Sequence, residues 1–132
     1  MEQKERELVS RISYEVVSEV APDEIDLYDD FKEEFFKNPD AFSEKDPEKR
    51  EQMLGFALSA GAQQFITTVV LPIAWNVIKK YVSKKIDELR DDDKIKDLRD
   101  EIFNDAISLG MDEEKAEHMA ESLSKKITTV AK

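Results

Sequence analysis

An uncharged stretch of twenty-six residues, Met53 to Ile78, constrains the fold of this chain more than any other feature. It stands out because 39% of the residues in the whole chain are charged. Such a stretch forms either the central helical layer of a small bundle or a segment that enters a membrane. Pro72 lies inside it and lacks a backbone N–H group. We therefore predict a central pair of helices, residues 47–70 and 72–90, that is kinked or broken at Pro72.

The rest of the sequence predicts amphipathic helices around that pair. Only three glycines and four prolines are present, which is too few for the turns of an all-β protein. Apolar residues recur at intervals of three to four, the period of a helix that buries one face. This pattern covers residues 2–20, 22–37, 94–109 and 112–130. We predict an all-α single-domain bundle of five to six helices that spans residues 1–132.

Several residues predict where the helices end and begin. Pro22 ends the first helix and suits the first turn of the second. Residues 38–46 are predicted to form a loop, and Asp46 is predicted to cap the next helix. Gly110 predicts a left-handed residue at a helix end, and Asp112 predicts the start of the final helix.

The charge distribution excludes one class of partner and points to others. A net charge of −11 argues against nucleic-acid binding, because binding to phosphates requires a basic surface. Between Met53 and Ile86 there is no acidic residue, and all four charges are lysines: Lys79, Lys80, Lys84 and Lys85. The charged residues after Met1 do not form a signal peptide. We expect a cytoplasmic protein, with membrane association as the alternative.

The sequence contains no set of residues typical of a metal site. His118 is the only histidine, and Lys115 stands where a helical di-iron site needs a glutamate. A calcium loop beginning at Asp91 fails because Ile95 and Lys96 occupy the fifth and sixth positions. We instead predict a helix-linking turn at residues 91–93 and expect no metal site.

Catalytic sequence patterns are also absent. The chain has no cysteine, no glycine-rich phosphate loop and no serine in a nucleophile elbow. Solvated helix faces account for its many carboxylates. We therefore expect a protein that is not an enzyme and has no cofactor.

One local resemblance involves the run IFNDAISLGMDEEKAEHMAESL, which resembles the first two helices of ubiquitin-associated domains. Leu109, Gly110 and Met111 stand at the position of the loop in that family. The run covers only part of the chain, and Met111 replaces an aromatic residue. We transfer no binding residues from this resemblance.

These observations predict a non-enzymatic helical protein–protein interaction module, with an adaptor or regulatory role, which could form the N-terminal domain of a larger protein. The candidate contact residues are Lys79, Lys80, Lys84, Lys85, Phe36 and Trp75. A protein partner is expected, while self-association and membrane binding stay open. One alternative is a membrane-active protein that inserts residues 53–78 when triggered. Another is a bundle that binds an apolar ligand in a closed cavity beside Phe65 and Trp75.

Overall fold

The computed structural model describes residues 3–46, 48, 49, 52, 65–82 and 92–131. The helices with defined bounds are α1 (Gln3–Val20), α2 (Ile25–Lys37), α3 (Pro39–Ser43), α4 (Ile66–Val77), α5 (Asp92–Ser108) and α6 (Glu113–Ala131). No strand occurs in the described residues. The prediction of an all-α bundle with five to six helices is confirmed.

Helix α4 lies at the centre of the bundle. Every residue from Ile66 to Ala74 is buried. The helix contacts α1, α2, α3, α5 and α6, so its neighbours cover it on all sides. A helix in this position can be apolar around its whole circumference. The prediction of a central apolar helix is confirmed for these residues, whereas Met53–Gln64 lie outside the described part of the chain.

Helix α4 runs through Pro72 without ending there. It is preceded by Phe65 in an extended conformation and continues into a π-helical turn, Ile78–Val82. A break at Pro72 is therefore wrong, as is the boundary predicted there between residues 47–70 and 72–90, whereas the alternative, a kink at Pro72, stays a prediction. A proline inside a helix costs about 3 kcal/mol, whereas burial of one large aliphatic side chain contributes about 1.5–3 kcal/mol. Burial of several such side chains in α4 outweighs the cost of Pro72.

The amphipathic helices pack their apolar faces around α4 as predicted. The residues that α1, α5 and α6 contribute to the core are Val9, Ile12, Val16, Val17, Leu98, Ile102, Ala106, Ala116, Met119, Ala120, Leu123 and Ile127. Helix α6 packs against both α1 and α5. The helical spacing of apolar residues therefore identified the buried faces of these three helices.

The predicted caps of α5 and α6 are present. Gly110 adopts a positive φ of 94°. This conformation lets the N–H of Met111 donate to the carbonyl of Ala106 at 3.1 Å, which is the hydrogen bond of a Schellman cap. One carboxylate oxygen of Asp112 accepts from the N–H of Lys115 at 2.9 Å. Local chemistry thus fixes this interhelical connection.

Pro22 and Asp46 also act as predicted. Pro22 begins a short 3-10 turn, Pro22–Glu24, that leads directly into α2. One carboxylate oxygen of Asp46 accepts from the N–H groups of Glu48 and Lys49 at 3.0 and 3.4 Å. Because a side-chain oxygen satisfies these two donors, Asp46 caps the helical turn that follows it.

Two segments predicted as non-helical are partly helical. The predicted loop 38–46 contains helix α3, which carries Phe42 into the core against the ring of Phe35, with 5.4 Å between the ring centroids. The predicted turn at 91–93 is wrong for Asp92 and Asp93, which form the first turn of α5. Carboxylates are favourable there because the helix dipole is positive at its N-terminus.

Candidate functional site

Glu24 joins the start of α2 to the start of α4. Its side chain is buried, with 6% of the residue surface exposed. The carboxylate accepts three hydrogen bonds, each 2.9 Å long, from the N–H of Ile66, the N–H of Thr67 and the hydroxyl of Thr67. These bonds satisfy donors at the beginning of α4 that have no partner within the helix. Glu24 therefore acts as a helix cap supplied by a distant part of the chain.

Phe36 and Trp75, two predicted contact residues, lie together where α2 meets α4. Their ring centroids are 5.9 Å apart, and Trp75 also packs edge-on against Phe35 at 5.3 Å. Both side chains are half-buried. The guanidinium carbon of Arg6 lies 5.7 Å from the ring centroid of Phe36, which is cation–π distance. The structure thus places both aromatic residues at the edge of the core and partly accessible.

The predicted basic cluster is only partly within the described residues. Lys79 and Lys80 are exposed in the π-helical turn after α4. The ammonium nitrogen of Lys80 lies 3.5 Å from a carboxylate oxygen of Glu101 on α5. Lys84 and Lys85 fall outside the described part of the chain. Their role in partner contact, like that of Lys79 and Lys80, stays a prediction.

A groove of about 570 Å³ lies at the surface where α1 meets α2, and we call it the α1–α2 groove. The residues that line it are Gln3, Arg6, Glu7, Ser10, Arg11, Tyr14, Tyr28, Asp29, Lys32 and Phe36. It includes one predicted contact residue, Phe36. Apart from buried Tyr28, the other lining residues come from the polar faces of α1 and α2.

Aromatic rings form one wall of the α1–α2 groove. Tyr14 is 45% exposed and packs edge-on against Tyr28, with the ring centroids 5.3 Å apart. The hydroxyl of buried Tyr28 donates to the carbonyl of Ser10. Burial raises the pKa of Tyr28 far above its usual value, so this hydroxyl stays protonated. The hydrogen bond and the ring contact fix this wall.

Cations on the α1–α2 groove differ in their partners. Lys32 forms an ion pair with Asp29 at 3.7 Å, and Glu7 accepts a hydrogen bond from Gln3. Within the described residues, neither Arg6 nor Arg11 forms an ion pair with a carboxylate. The groove therefore presents two guanidinium groups in a protein with a net charge of −11.

A second groove, of about 440 Å³, lies on another side of α2, where α2 meets the start of α4. We call it the α2–α4 groove, and its lining residues are Leu27, Asp30, Phe31, Glu33, Glu34, Lys37 and Phe65. Leu27 is 41% exposed. The rings of Phe31 and Phe65 pack with their centroids 5.4 Å apart. This groove combines an apolar surface with an acidic edge.

Phe65 and Trp75 have different neighbours within the described residues, and the ligand-binding alternative stays a prediction. Phe65 lines the α2–α4 groove, which lies at the surface, and Trp75 packs against the rings of Phe35 and Phe36. Residues 53–64 fall outside the described part of the chain. Among the helices described, none has the length and the apolar character needed to cross a membrane.

His118 lies exposed on α6, at a small depression it shares with Glu19, Glu121 and Lys125. A hydrogen bond from Lys126 lowers the pKa of Glu19 below its usual value. Across the described residues, no group of three or more His, Cys, Asp or Glu side chains is arranged to hold a metal ion.

Four exposed residues that line the two grooves were not predicted from the sequence: Arg6, Arg11, Tyr14 and Leu27. Each is an exposed side chain on a helix that was predicted from the spacing of its apolar, buried residues. Tyr14 and Leu27 carried a recognisable signal, because they are large side chains outside the apolar stripes of α1 and α2. For Glu24 there was no such signal, since nothing in the sequence connects it to residues 66 and 67.

No family model matches this chain, and no curated protein or solved structure is significantly similar to it. Function is therefore inferred from the surfaces of the chain itself.

Proposed function

We propose that the chain is a non-enzymatic helical interaction module, with an adaptor or regulatory role, that binds an acidic and partly apolar segment of a partner protein in the α1–α2 groove. The observation that carries this proposal is the position of Arg6 and Arg11, which form no ion pair within the described residues, beside the exposed ring of Tyr14.

The arginines favour a carboxylate-bearing partner. A guanidinium group presents its donors in a planar fork that binds a carboxylate through two parallel hydrogen bonds. The net charge of −11 opposes the approach of an acidic segment from a distance. Salt screens this repulsion beyond about 8 Å at physiological ionic strength, whereas a contacting pair at Arg6 or Arg11 is screened less. Binding of an acidic segment is therefore determined by the local groove.

The aromatic wall supplies the apolar part of the binding surface. Tyrosine and arginine are enriched among residues that dominate binding energy at protein interfaces. Tyr14 presents an exposed ring held edge-on by buried Tyr28, and Phe36 lies under the guanidinium of Arg6. Contacts that already exist in the free protein reduce the conformational entropy lost on binding. The groove thus suits a segment that carries an aliphatic or aromatic side chain between acidic residues.

Selection from a peptide library displayed on phage tests this proposal. The wild-type chain is used for positive selection, and the Arg11→Glu variant is used to remove peptides that bind elsewhere. Enriched peptides should combine Asp or Glu with an aromatic or aliphatic residue. They should bind Arg11→Glu and Tyr14→Ser at least about tenfold more weakly than wild type, as expected for central interface residues.

The matched control is Lys115→Glu, which makes the same charge change at an exposed position on α6 outside the groove. It should change the affinity less than about twofold, because exposed charges away from an interface contribute little. Chemical shifts in a ¹⁵N-labelled chain should move at Arg6, Arg11, Tyr14 and Phe36. Enriched peptides that bind Arg11→Glu as tightly as wild type would contradict the proposal, as would shifts confined to other helices.

A further inference from the structure

We infer that the α2–α4 groove is a second docking surface, which takes a basic amphipathic helix of a partner protein. This inference goes beyond the proposed function because it concerns a different groove, a partner of opposite charge and different residues of α2. It does not depend on the occupant of the α1–α2 groove.

The apolar part of the α2–α4 groove begins at Leu27. Large hydrophobic side chains are rarely this exposed in the described residues, and Leu27 at 41% is one of three such cases, together with Tyr14 and Ile107. The half-buried ring of Phe65, which packs on the buried ring of Phe31, continues the apolar surface from α2 to the start of α4. An apolar surface bordered by polar residues is typical of a site that contacts another protein.

The charged edge of the groove favours a basic partner. Asp30, Glu33 and Glu34 line it, and Lys37 is its only cation among the lining residues. Lys37 lies 3.7 Å from a carboxylate oxygen of both Glu33 and Glu34, so its single charge is shared between them. The edge therefore keeps an excess of negative charge. The net charge of −11 adds to the attraction of a basic segment, in contrast to its effect at the α1–α2 groove.

The spacing of the lining residues fits a helical partner. Leu27, Phe31 and Glu34 recur at intervals of four and three along α2, so they lie on one face. They cover about 10 Å of helix axis at 1.5 Å per residue. A partner helix that places apolar side chains at positions i, i+3, i+4 and i+7 would set them along this face, with basic residues at the acidic edge. An anionic membrane does not fit the site, because Asp30, Glu33 and Glu34 would repel it.

The probe for the test is a synthetic amphipathic peptide of leucine and lysine, with leucine at i, i+3, i+4 and i+7 positions throughout. A peptide of the same composition in permuted order, which has no apolar face, is the matched control. Each is titrated into the full ¹⁵N-labelled chain at about 0.15 M salt, where the Debye length is about 8 Å. The ordered peptide should shift the amide signals of Leu27, Phe31, Glu34 and Phe65 and bind at least about tenfold more tightly than the permuted one.

Variants of exposed residues locate the binding. Leu27→Ser and the double variant Asp30→Lys with Glu33→Lys should each weaken binding about tenfold or more. Glu15→Lys is the matched control, because Glu15 is an exposed carboxylate on α1 that lines neither groove. It should change the affinity less than about twofold. Since Leu27, Asp30 and Glu33 are exposed, circular dichroism should show that the variants remain folded.

The inference would be overturned by equal affinity for the two peptides, equal weakening by Glu15→Lys, shifts spread over the acidic surface, or absence of binding. Concentration-dependent shifts at Leu27 and Phe65 without peptide would also overturn it, because they would identify a second copy of the chain as the occupant. Release of the peptide by anionic vesicles that themselves shift the signals of the groove would identify a membrane. Loss of binding in Arg11→Glu would place the peptide in the other groove and would equally contradict the inference.

Discussion

Helices α4 and α2 differ in how many of their residues are buried. In α4 every residue from Ile66 to Ala74 is buried, whereas α2 buries only Tyr28, Phe31 and Phe35 of its thirteen residues. The remaining surface of α2 contributes to two grooves with different chemistry. The apolar helix α4 therefore serves stability, while the highly charged helix α2 contributes to the two grooves that we propose as partner-binding surfaces.

Glu24 couples these two regions. It stands immediately before α2 and accepts hydrogen bonds from the first residues of α4. These hydrogen bonds hold the first turn of α2, which contains Leu27, against the start of α4. They therefore also set the position of Leu27 relative to Phe65, which lines the same groove. The geometry of the α2–α4 groove thus depends on a buried hydrogen-bonded carboxylate.

The largest predicted effect on stability comes from comparing a buried leucine of α4 with an exposed leucine of α2. Leu71→Ala in α4 removes a side chain with 0% exposure, and it should lower the free energy of unfolding by about 2–5 kcal/mol because it leaves a cavity. Leu27→Ala in α2 should change that free energy by no more than about 0.5 kcal/mol. Urea denaturation followed by circular dichroism measures both. Similar losses in the two variants would break the distinction between the helices.

The next largest effect concerns the link between the helices. Glu24→Ala leaves two N–H groups at the start of α4 without their acceptor, and it should lower the free energy of unfolding by about 1–3 kcal/mol. Amide exchange should accelerate at Ile66 and Thr67. Asp23→Ala changes the neighbouring exposed carboxylate and is the matched control, with an expected change within about 0.5 kcal/mol. Unchanged exchange at Ile66 in Glu24→Ala would mean that the cap does not hold α4.

A smaller effect concerns the wall of the α1–α2 groove. Tyr28→Phe removes the hydroxyl that donates to Ser10 and should lower the free energy of unfolding near pH 7 by about 1 kcal/mol. Because burial raises the folded-state pKa of Tyr28 above its ordinary value of 10.0, the unfolded chain loses this proton first as the pH rises. Stability that Tyr28 contributes is therefore fully present below pH 10.0 and is lost above it.

The difference between wild type and Tyr28→Phe should consequently shrink above pH 10.0. Denaturation in urea at neutral and alkaline pH measures it, and Tyr14→Phe is the matched control at an exposed ring. A constant difference across this range would show that Tyr28 ionises equally in the folded and unfolded chains.

The smallest predicted effect on stability concerns Asp105. Burial raises the pKa of Asp105 on α5, while Lys45 and Lys80 partly oppose that rise. A raised folded-state pKa means that stability is greatest below the unfolded value and falls as the pH rises through the folded value. Asp105→Asn should therefore increase the free energy of unfolding near pH 7 by roughly a few tenths of a kcal/mol, since the group is only half-buried.

This gain should vanish below the ordinary aspartate pKa of 3.8, where the wild-type carboxyl is protonated in both states. Thermal unfolding at neutral and acid pH provides the measurement, and Asp100→Asn on the exposed side of α5 is the control. Destabilisation by Asp105→Asn near pH 7 would show that electrostatic attraction to Lys45 and Lys80 outweighs the cost of burial.

Local features of the sequence predicted several parts of the fold correctly. Pro22, Asp46, Gly110 and Asp112 each act on backbone groups within a few residues, so their effects follow from the neighbouring sequence alone. The break considered at Pro72 does not occur, because the packing of α4 on all sides outweighs the cost of one lost hydrogen bond and a steric clash. Proline does disfavour the interior of a helix, but the burial of α4 in the tertiary structure outweighs this local preference.

Of the candidate contact residues, Phe36 and Trp75 were predicted from their type, and the structure brings them together. Arg6, Arg11, Tyr14 and the groove that contains them were not predicted. Periodicity identifies the face that a helix buries, but it does not show which exposed side chains of two helices meet.

The sequence by itself determined that the chain is helical and that the uncharged stretch 53–78 contains its central helix, which the structure confirms for residues 66–74. Helix periods, caps and the absence of charge act locally or through burial, and both can be inferred from the order of residues. Only the tertiary structure decided that Glu24 caps a helix forty-two residues away and that α2 carries two grooves of different charge. These features depend on how distant segments pack, which is set by the shapes of all the buried faces together.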